Sequence, residues 1–185
     1  MDKSSARESI LRKLKSHDDA SIEEKSSLIR EKLVSTDEFK KAGYVFIYLS
    51  GAAEVSTMDI VSAALDSGKN VYSPMIVNGN IETGIIENIP SLRPGKYGIL
   101  EPKEAVAKNE FDIIIVPGVA FGMDGSRAGR GGGHFDRFLT KTKGKRIALA
   151  FDFQIVDKID TETHDVRMDL IITEKRTIHI KKNWL

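Results

Sequence analysis

The stretch DIIIVPGVAFGMDGSRAGRGGGHFDRFL, Asp112 to Leu139, decides the reading of the fold, because an apolar run, a glycine-rich loop and a helical pattern follow one another in it. An apolar run without polar alternation describes a strand buried on both faces, the habit of parallel sheets covered by helices. Working outward, the same rhythm recurs. YVFIYL from Tyr44 precedes a helical pattern over Thr57 to Leu65, and NVYSPMI from Asn70 follows. Beyond the loop, a helix is expected near Phe135 to Thr140, then strands at RIALAFDF from Arg146 and DLIIT from Asp169. Strands alternating with helices predict right-handed crossovers and an α/β three-layer sandwich with a mostly parallel sheet. Ligands of such sheets gather beyond the carboxyl ends of the strands.

Two helices are expected ahead of the first strand, packing on the α/β body over residues 5–35 or so. Ile10, Leu11 and Leu14 make a narrow apolar stripe between Ser5 and Lys15. Ser21 and Glu24 have capping-box spacing, and Leu28, Ile29, Leu33 and Val34 continue one face to about Ser35. Residues Asn78 to Lys108, with Pro90, Pro94 and Pro102, read as an irregular excursion carrying substrate contacts.

The 185 residues suit one domain, 41% of them hydrophobic. Twenty-eight basic and 27 acidic residues leave a net charge of +1, which argues against nucleic acid and anionic membranes as partners. An anionic ligand must therefore be held by a local cluster. Cysteine is absent, which excludes disulfides, thiol nucleophiles and thiolate metal sites. No apolar run has signal-peptide or bilayer-spanning character, and a cytoplasmic protein is expected.

Five glycines fall between Gly125 and Gly133. Glycine lets consecutive backbone N–H groups converge on phosphate oxygens, and Arg127 and Arg130 supply charge. The spacing is neither a Walker A loop nor a dinucleotide fingerprint. Asp136, just after the loop, suits either a metal held by phosphates or a first-turn helix position favoured by the dipole.

The residues Ile114 to Leu139 resemble the signature of the 5-formyltetrahydrofolate cyclo-ligase family, also called methenyltetrahydrofolate synthetases. The resemblance extends to YLSGAAEVST from Tyr48, KYGILEP from Lys96 and HDVRMDLIIT from His164. It implies a Rossmann-like sheet and an ATP- and Mg²⁺-dependent ligase of folate and one-carbon metabolism that converts 5-formyltetrahydrofolate to 5,10-methenyltetrahydrofolate with release of ADP and phosphate. It further implies phosphorylation of the formyl oxygen followed by ring closure, a reduced folate as substrate, and a monomer or homodimer.

Carried over by resemblance, Arg127, Gly129, Arg130, Gly131, Gly132 and Gly133 bind ATP, joined by Lys3 and Arg7 from the first helix, with Arg12 or Lys13 as substitutes. Arg127 and Asp136 form the catalytic pair, and Asp136 and Asp165 are the metal carboxylates. Glu54 meets the pterin, whose N–H donors suit a carboxylate. Tyr97 packs on the folate. His134 and Phe135 stand where two tyrosines are usual and are expected to touch both nucleotide and folate, with activity dependent on His134 protonation. Gly122 replaces a common aspartate. Two alternatives share these residues: a relative with the same ATP site and another substrate, and a non-catalytic nucleotide- or folate-binding protein.

Overall fold

The structure, a computed structural model of the chain, describes residues 1–95 and 98–181. Three helices open it: α1 (Lys3–Lys15), α2 (Asp19–Ser35) and α3 (Asp37–Lys41). The Asp2 carboxylate caps α1 by accepting the Ser4 and Ser5 amides, and Arg12, Lys13 and Lys15 meet the carbonyl end of the helix. Ala6, Ile10 and Leu14, four apart, form its buried stripe. Leu11 falls outside that stripe, half-exposed beside a cavity.

The start of α2 differs from the expected capping box. Asp18 is the N-cap, and its carboxylate accepts the Ser21 amide at 2.7 Å. A charged cap satisfies that orphan donor and also complements the helix dipole, so it prevails over the Ser21 hydroxyl three residues later. Ile29 and Leu33 are buried as expected, whereas Leu28 is exposed.

The rest of the chain builds three sheets. In order come β1 (Tyr44–Ile47), α4 (Met58–Asp66), β2 (Asn70–Val77), β3 (Asn80–Ile86), β4 (Arg93–Pro94), β5 (Leu100–Glu101), β6 (Glu110–Val116), β7 (Ala120–Gly122), β8 (Arg127–Ala128), α5 (His134–Leu139), β9 (Lys143–Leu149), β10 (Ile155–Val156), β11 (Leu170–Ile172) and β12 (Thr177–His179). The main sheet has seven strands in the order β12-β11-β9-β6-β1-β2-β3. The five central strands are parallel, and β3 and β12 add antiparallel edges.

Both faces of the parallel strands are buried, as unbroken apolar runs require. Val45, Ile47, Ile113, Ile115, Ile147 and Leu149 point into one core together with Ile10, Ile29 and Leu33 of the N-terminal helices. Phe46, Ile114, Val116 and Ala148 point into a second core with Phe138 and Leu139 of α5. Alternate residues of each strand therefore serve opposite layers, giving the α/β sandwich with helices on both faces.

Two segments differ from expectation. The stretch after Asn78 contains a regular strand: β3 pairs with β2 over its whole length, through a turn at Asn78 and Gly79, both with positive φ (49° and 78°). An Asn-Gly dipeptide adopts that hairpin turn at little cost, a signal stronger than the prolines further on. The glycine-rich loop does not follow the buried strand directly either. A hairpin of β7 and β8, joined by β10 in a three-stranded sheet, lies between β6 and the loop. α1 packs on this small sheet. No helix among the described residues is long and apolar enough to cross a membrane.

Candidate active site

Strand order fixes where a ligand can bind. From β1 the chain steps to β2 on one side, while β6, β9 and β11 fill the other, so the winding reverses between β1 and β6. A crevice opens at such a switch point, beyond the carboxyl ends of the two strands. Tyr48 and Leu49, after β1, and Pro117 and Gly118, after β6, line a cavity of about 740 Å³ there. The rest of its wall includes one face of α1, residues 129–136, residues 160–162 with His164, and the hairpin side chains Ile76 and Ile81.

One end of this cavity is cationic. Arg127 projects from β8 with its side chain 3% exposed. Its Nη2 donates to Asp136 Oδ1 at 2.7 Å and its Nη1 to the Pro117 carbonyl at 3.1 Å, while Nε is buried without a partner. Arg7 reaches from α1 and donates through Nε to the Gly129 carbonyl at 2.6 Å. Lys3, Arg7, Arg127 and Arg130 all line the cavity, as do Gly129, Gly131, Gly132 and Gly133. Arg12 and Lys13 do not, so the first helix contributes through Lys3 and Arg7. Gly133 has φ 63° and is the N-cap of α5, a left-handed position that lets the loop turn into the helix. α5 has six residues, under two turns, so charge on the arginines rather than the helix terminus dominates the field here.

Elsewhere the wall mixes carboxylate and apolar surface, joined to the cationic part through Arg130. Glu54 lies in the loop after β1; its Oε2 accepts the Gly51 amide at 2.8 Å and its Oε1 takes Arg130 at 3.1 Å. Leu11, Leu14, Leu49, Ile76, Ile81 and Ile99 give the apolar wall. Tyr48, not anticipated from sequence, is buried there and donates its hydroxyl to the Val55 carbonyl at 3.1 Å. Burial, helped by the Glu54 charge, pushes that phenol well above its ordinary pKa, so it stays a neutral donor. Tyr97 lies outside the described residues.

His134 and Phe135 both line the cavity. Arg137, also missed by sequence reasoning, sits 3.0 Å from His134 Nδ1 and donates to the Gly132 carbonyl at 3.1 Å. A guanidinium only donates, so Nδ1 accepts and the ring proton resides on Nε2. The i, i+3 spacing on a helix was the available signal.

The two expected metal carboxylates are separated by function. Asp136 is on the cavity wall and paired with Arg127. Asp165 is not on that wall; its side chain is 4% exposed and both its oxygens lie 2.6 Å from Lys3 Nζ. Burial works against the Asp165 charge, but the Lys3 and Glu162 hydrogen bonds outweigh it and hold the carboxyl below its usual range. Among the described residues, no group of three or more acids or histidines gathers to hold a metal ion.

Gly122 has a steric explanation. A methyl group built on it collides with Ser126 Oγ and comes within 2.6 Å of Asp124 Oδ1. The nearby carboxylate is supplied by Asp124, which accepts the Ser126 amide at 3.1 Å and pairs with Arg167 at 2.6 Å.

A doubly wound α/β sheet with a cationic, glycine-rich loop over its switch point defines a class of small-ligand enzymes that handle anions. Comparison narrows the class. Residues 1–174 match the model of the 5-formyltetrahydrofolate cyclo-ligase family. A 5-formyltetrahydrofolate cyclo-ligase of Haemophilus influenzae is 31% identical over 147 residues, 73% of this chain and 78% of that protein. The mouse enzyme of the same name is 28% identical over 166 residues, covering 80% and 82%. The NMR structure of Aquifex aeolicus 5,10-methenyltetrahydrofolate synthetase, 29% identical, superposes with a TM-score of 0.88 over 100% of this chain and 96% of that one. The chain belongs to the 5-formyltetrahydrofolate cyclo-ligase family of enzymes.

Proposed function

We propose that this chain converts 5-formyltetrahydrofolate to 5,10-methenyltetrahydrofolate at the expense of ATP, releasing ADP and phosphate. The observation that carries the reading is one cavity lined both by a cationic, glycine-rich loop and by an apolar wall with Glu54, so that a phosphoryl donor and a flat heteroaromatic acceptor share a volume. In the reaction the formyl oxygen takes the terminal phosphoryl group and ADP leaves. The neighbouring folate nitrogen then attacks the activated carbon and sheds its proton, and the carbon–oxygen bond breaks with departure of phosphate.

Such chemistry asks the protein for positioning and charge neutralisation more than covalent help. Arg127, fixed by Asp136 and Pro117, faces the transferred group, and its unpartnered Nε supports a ligand that supplies an acceptor. Lys3, Arg7, Arg130 and the amides of residues 129–133 hold the triphosphate. Glu54 accepts the pterin N–H donors, Phe135 packs on its ring system, and His134 offers Nε2–H. The apolar wall excludes water from the activated carbon.

The residues fit Mg²⁺ only as an ion carried with the triphosphate. Magnesium keeps waters and phosphate oxygens in its shell and needs one or two carboxylates; of the several carboxylates on the wall, Asp136 is the one that directly follows the glycine-rich loop. Bound so, it would neutralise phosphate charge.

The test is incubation with 5-formyltetrahydrofolate, ATP and Mg²⁺, following the methenyl chromophore and ADP. Equimolar formation of both is expected. No turnover despite binding of an ATP analogue would sink the assignment and favour another substrate.

A further inference from the structure

Resemblance makes Asp165 a metal carboxylate, yet its surroundings are those of a carboxylate that already has its cation. Lys3 Nζ lies 2.6 Å from each Asp165 oxygen and 3.7 Å from Glu162 Oε1. Asp165 is itself pinned: its Oδ2 accepts the Glu162 amide at 2.6 Å, and its own amide donates to the Glu162 carbonyl at 3.1 Å. The lysine lines the cavity and the aspartate does not.

We propose that Asp165 is a positioning residue for Lys3, holding the ammonium against the cavity wall for the ATP phosphates, and that it takes no part in binding metal. The inference rests on the ATP reading above. Lysine is a point charge on a flexible stem with many rotamers, and one in the first turn of a helix would otherwise extend into water. Its three N–H donors decide what the clasp leaves free. Asp165 engages at most two, so at least one remains for a phosphate oxygen. The charge balance agrees: a buried carboxylate is tolerated because the ammonium faces it. A metal at Asp165 would have to displace that ammonium; Glu162 and His164 are the nearest other donors, with His164 Nε2 3.9 Å from Asp165 Oδ1, yet no group of three acids or histidines among the described residues is arranged to hold an ion.

The experiment measures dissociation constants by calorimetry for a non-hydrolysable ATP analogue and for 5-formyltetrahydrofolate, with Mg²⁺ varied, in the wild-type chain, Asp165→Asn, Lys3→Ala and the double variant. Asp165→Asn is expected to weaken analogue binding roughly tenfold, about 1.4 kcal/mol. Folate binding and the Mg²⁺ concentration needed for half-maximal analogue binding should stay within about twofold. In the Lys3→Ala background the same substitution should cost little, because the group it positions is gone. Additive losses in the double variant, a raised Mg²⁺ requirement in Asp165→Asn, or equal weakening of folate would each overturn the proposal. Failure of the wild-type chain to bind the analogue would overturn it too, whereas binding without turnover sinks only the assigned reaction. Should Asp165→Asn not fold, Asp165→Ser, small and still able to accept the Glu162 amide, replaces it under the same expectations.

Discussion

Replacing Arg127 with methionine, similar in length and uncharged, tests the centre of the site on stability and function together. The side chain is 3% exposed and Asp136 17%, so the substitution leaves a mostly dehydrated carboxylate without its cation and the Pro117 carbonyl without one of its donors. Breaking a buried pair by removing one partner costs about 3–5 kcal/mol, and the residual hydration of Asp136 favours the lower end, about 3 kcal/mol. For a chain of this length each kcal/mol lowers the melting temperature by about 2–4 °C, so a drop of about 6–12 °C is expected in thermal unfolding followed by circular dichroism. Asp136→Asn should be costly for the mirror-image reason, because it leaves a buried guanidinium unpaired. The double variant should lose less than the sum of the two, by about 0.5–3 kcal/mol. Affinity for an ATP analogue should fall about 10- to 150-fold, the worth of one charge-assisted hydrogen bond of about 1.5–3 kcal/mol. A melting shift under about 2 °C, or strict additivity of the two substitutions, would refute the claim that the pair is a buried, mutually dependent unit.

Glu54→Gln should weaken folate binding at least tenfold while leaving analogue affinity within about threefold, since one oxygen meets the pterin and Arg130 can still engage phosphate. Equal loss of both ligands would make Glu54 structural. Gly122→Asp should destabilise by about 1–3 kcal/mol through overpacking against Ser126 and Asp124; an unchanged melting temperature would show that the turn yields. Acid should also weaken the fold. Asp124, Asp152 and Asp165 have native pKa values below the ordinary 3.8: burial opposes the shift, and hydrogen bonds and ion pairs with Ser126 and Arg167, Arg176 and Thr173, and Lys3 overcome it. The native state then binds fewer protons than the unfolded chain. This contribution is complete above about pH 5 and is lost as pH falls through 3.8 toward the lowered native values. The urea midpoint should therefore decline from about pH 5 to pH 2, and a midpoint that rises on acidification contradicts the assignment.

Local chemistry made the sheet legible, because Val45–Ile47, Ile113–Val116 and Ile147–Leu149 are apolar on both faces and no other environment accepts such runs. The glycine-rich loop was legible too, as glycines and arginines alternate within a few residues, and it lies on the cavity wall. Side chains whose roles depend on distant neighbours were not. Asp165 reads as one more acid until Lys3, 162 residues away, is seen against it. Tyr48 reads as the end of a strand, and only the fold shows its hydroxyl turned into the loop that carries Glu54. The β2–β3 hairpin was a different kind of miss, since the Asn78-Gly79 signal was present and the prolines beyond it received the weight.

Among the contacts that bind the first helix to distant parts of the chain are Arg7 to Gly129 and Lys3 to Asp165, over separations of 122 and 162 residues. During synthesis α1 emerges well before these partners. The small sheet on which α1 packs, β7 and β8, is likewise made from residues more than 100 positions further on. A nascent chain interrupted before Asp165 therefore holds β1 to β10 but leaves Lys3 without the carboxylate that faces it.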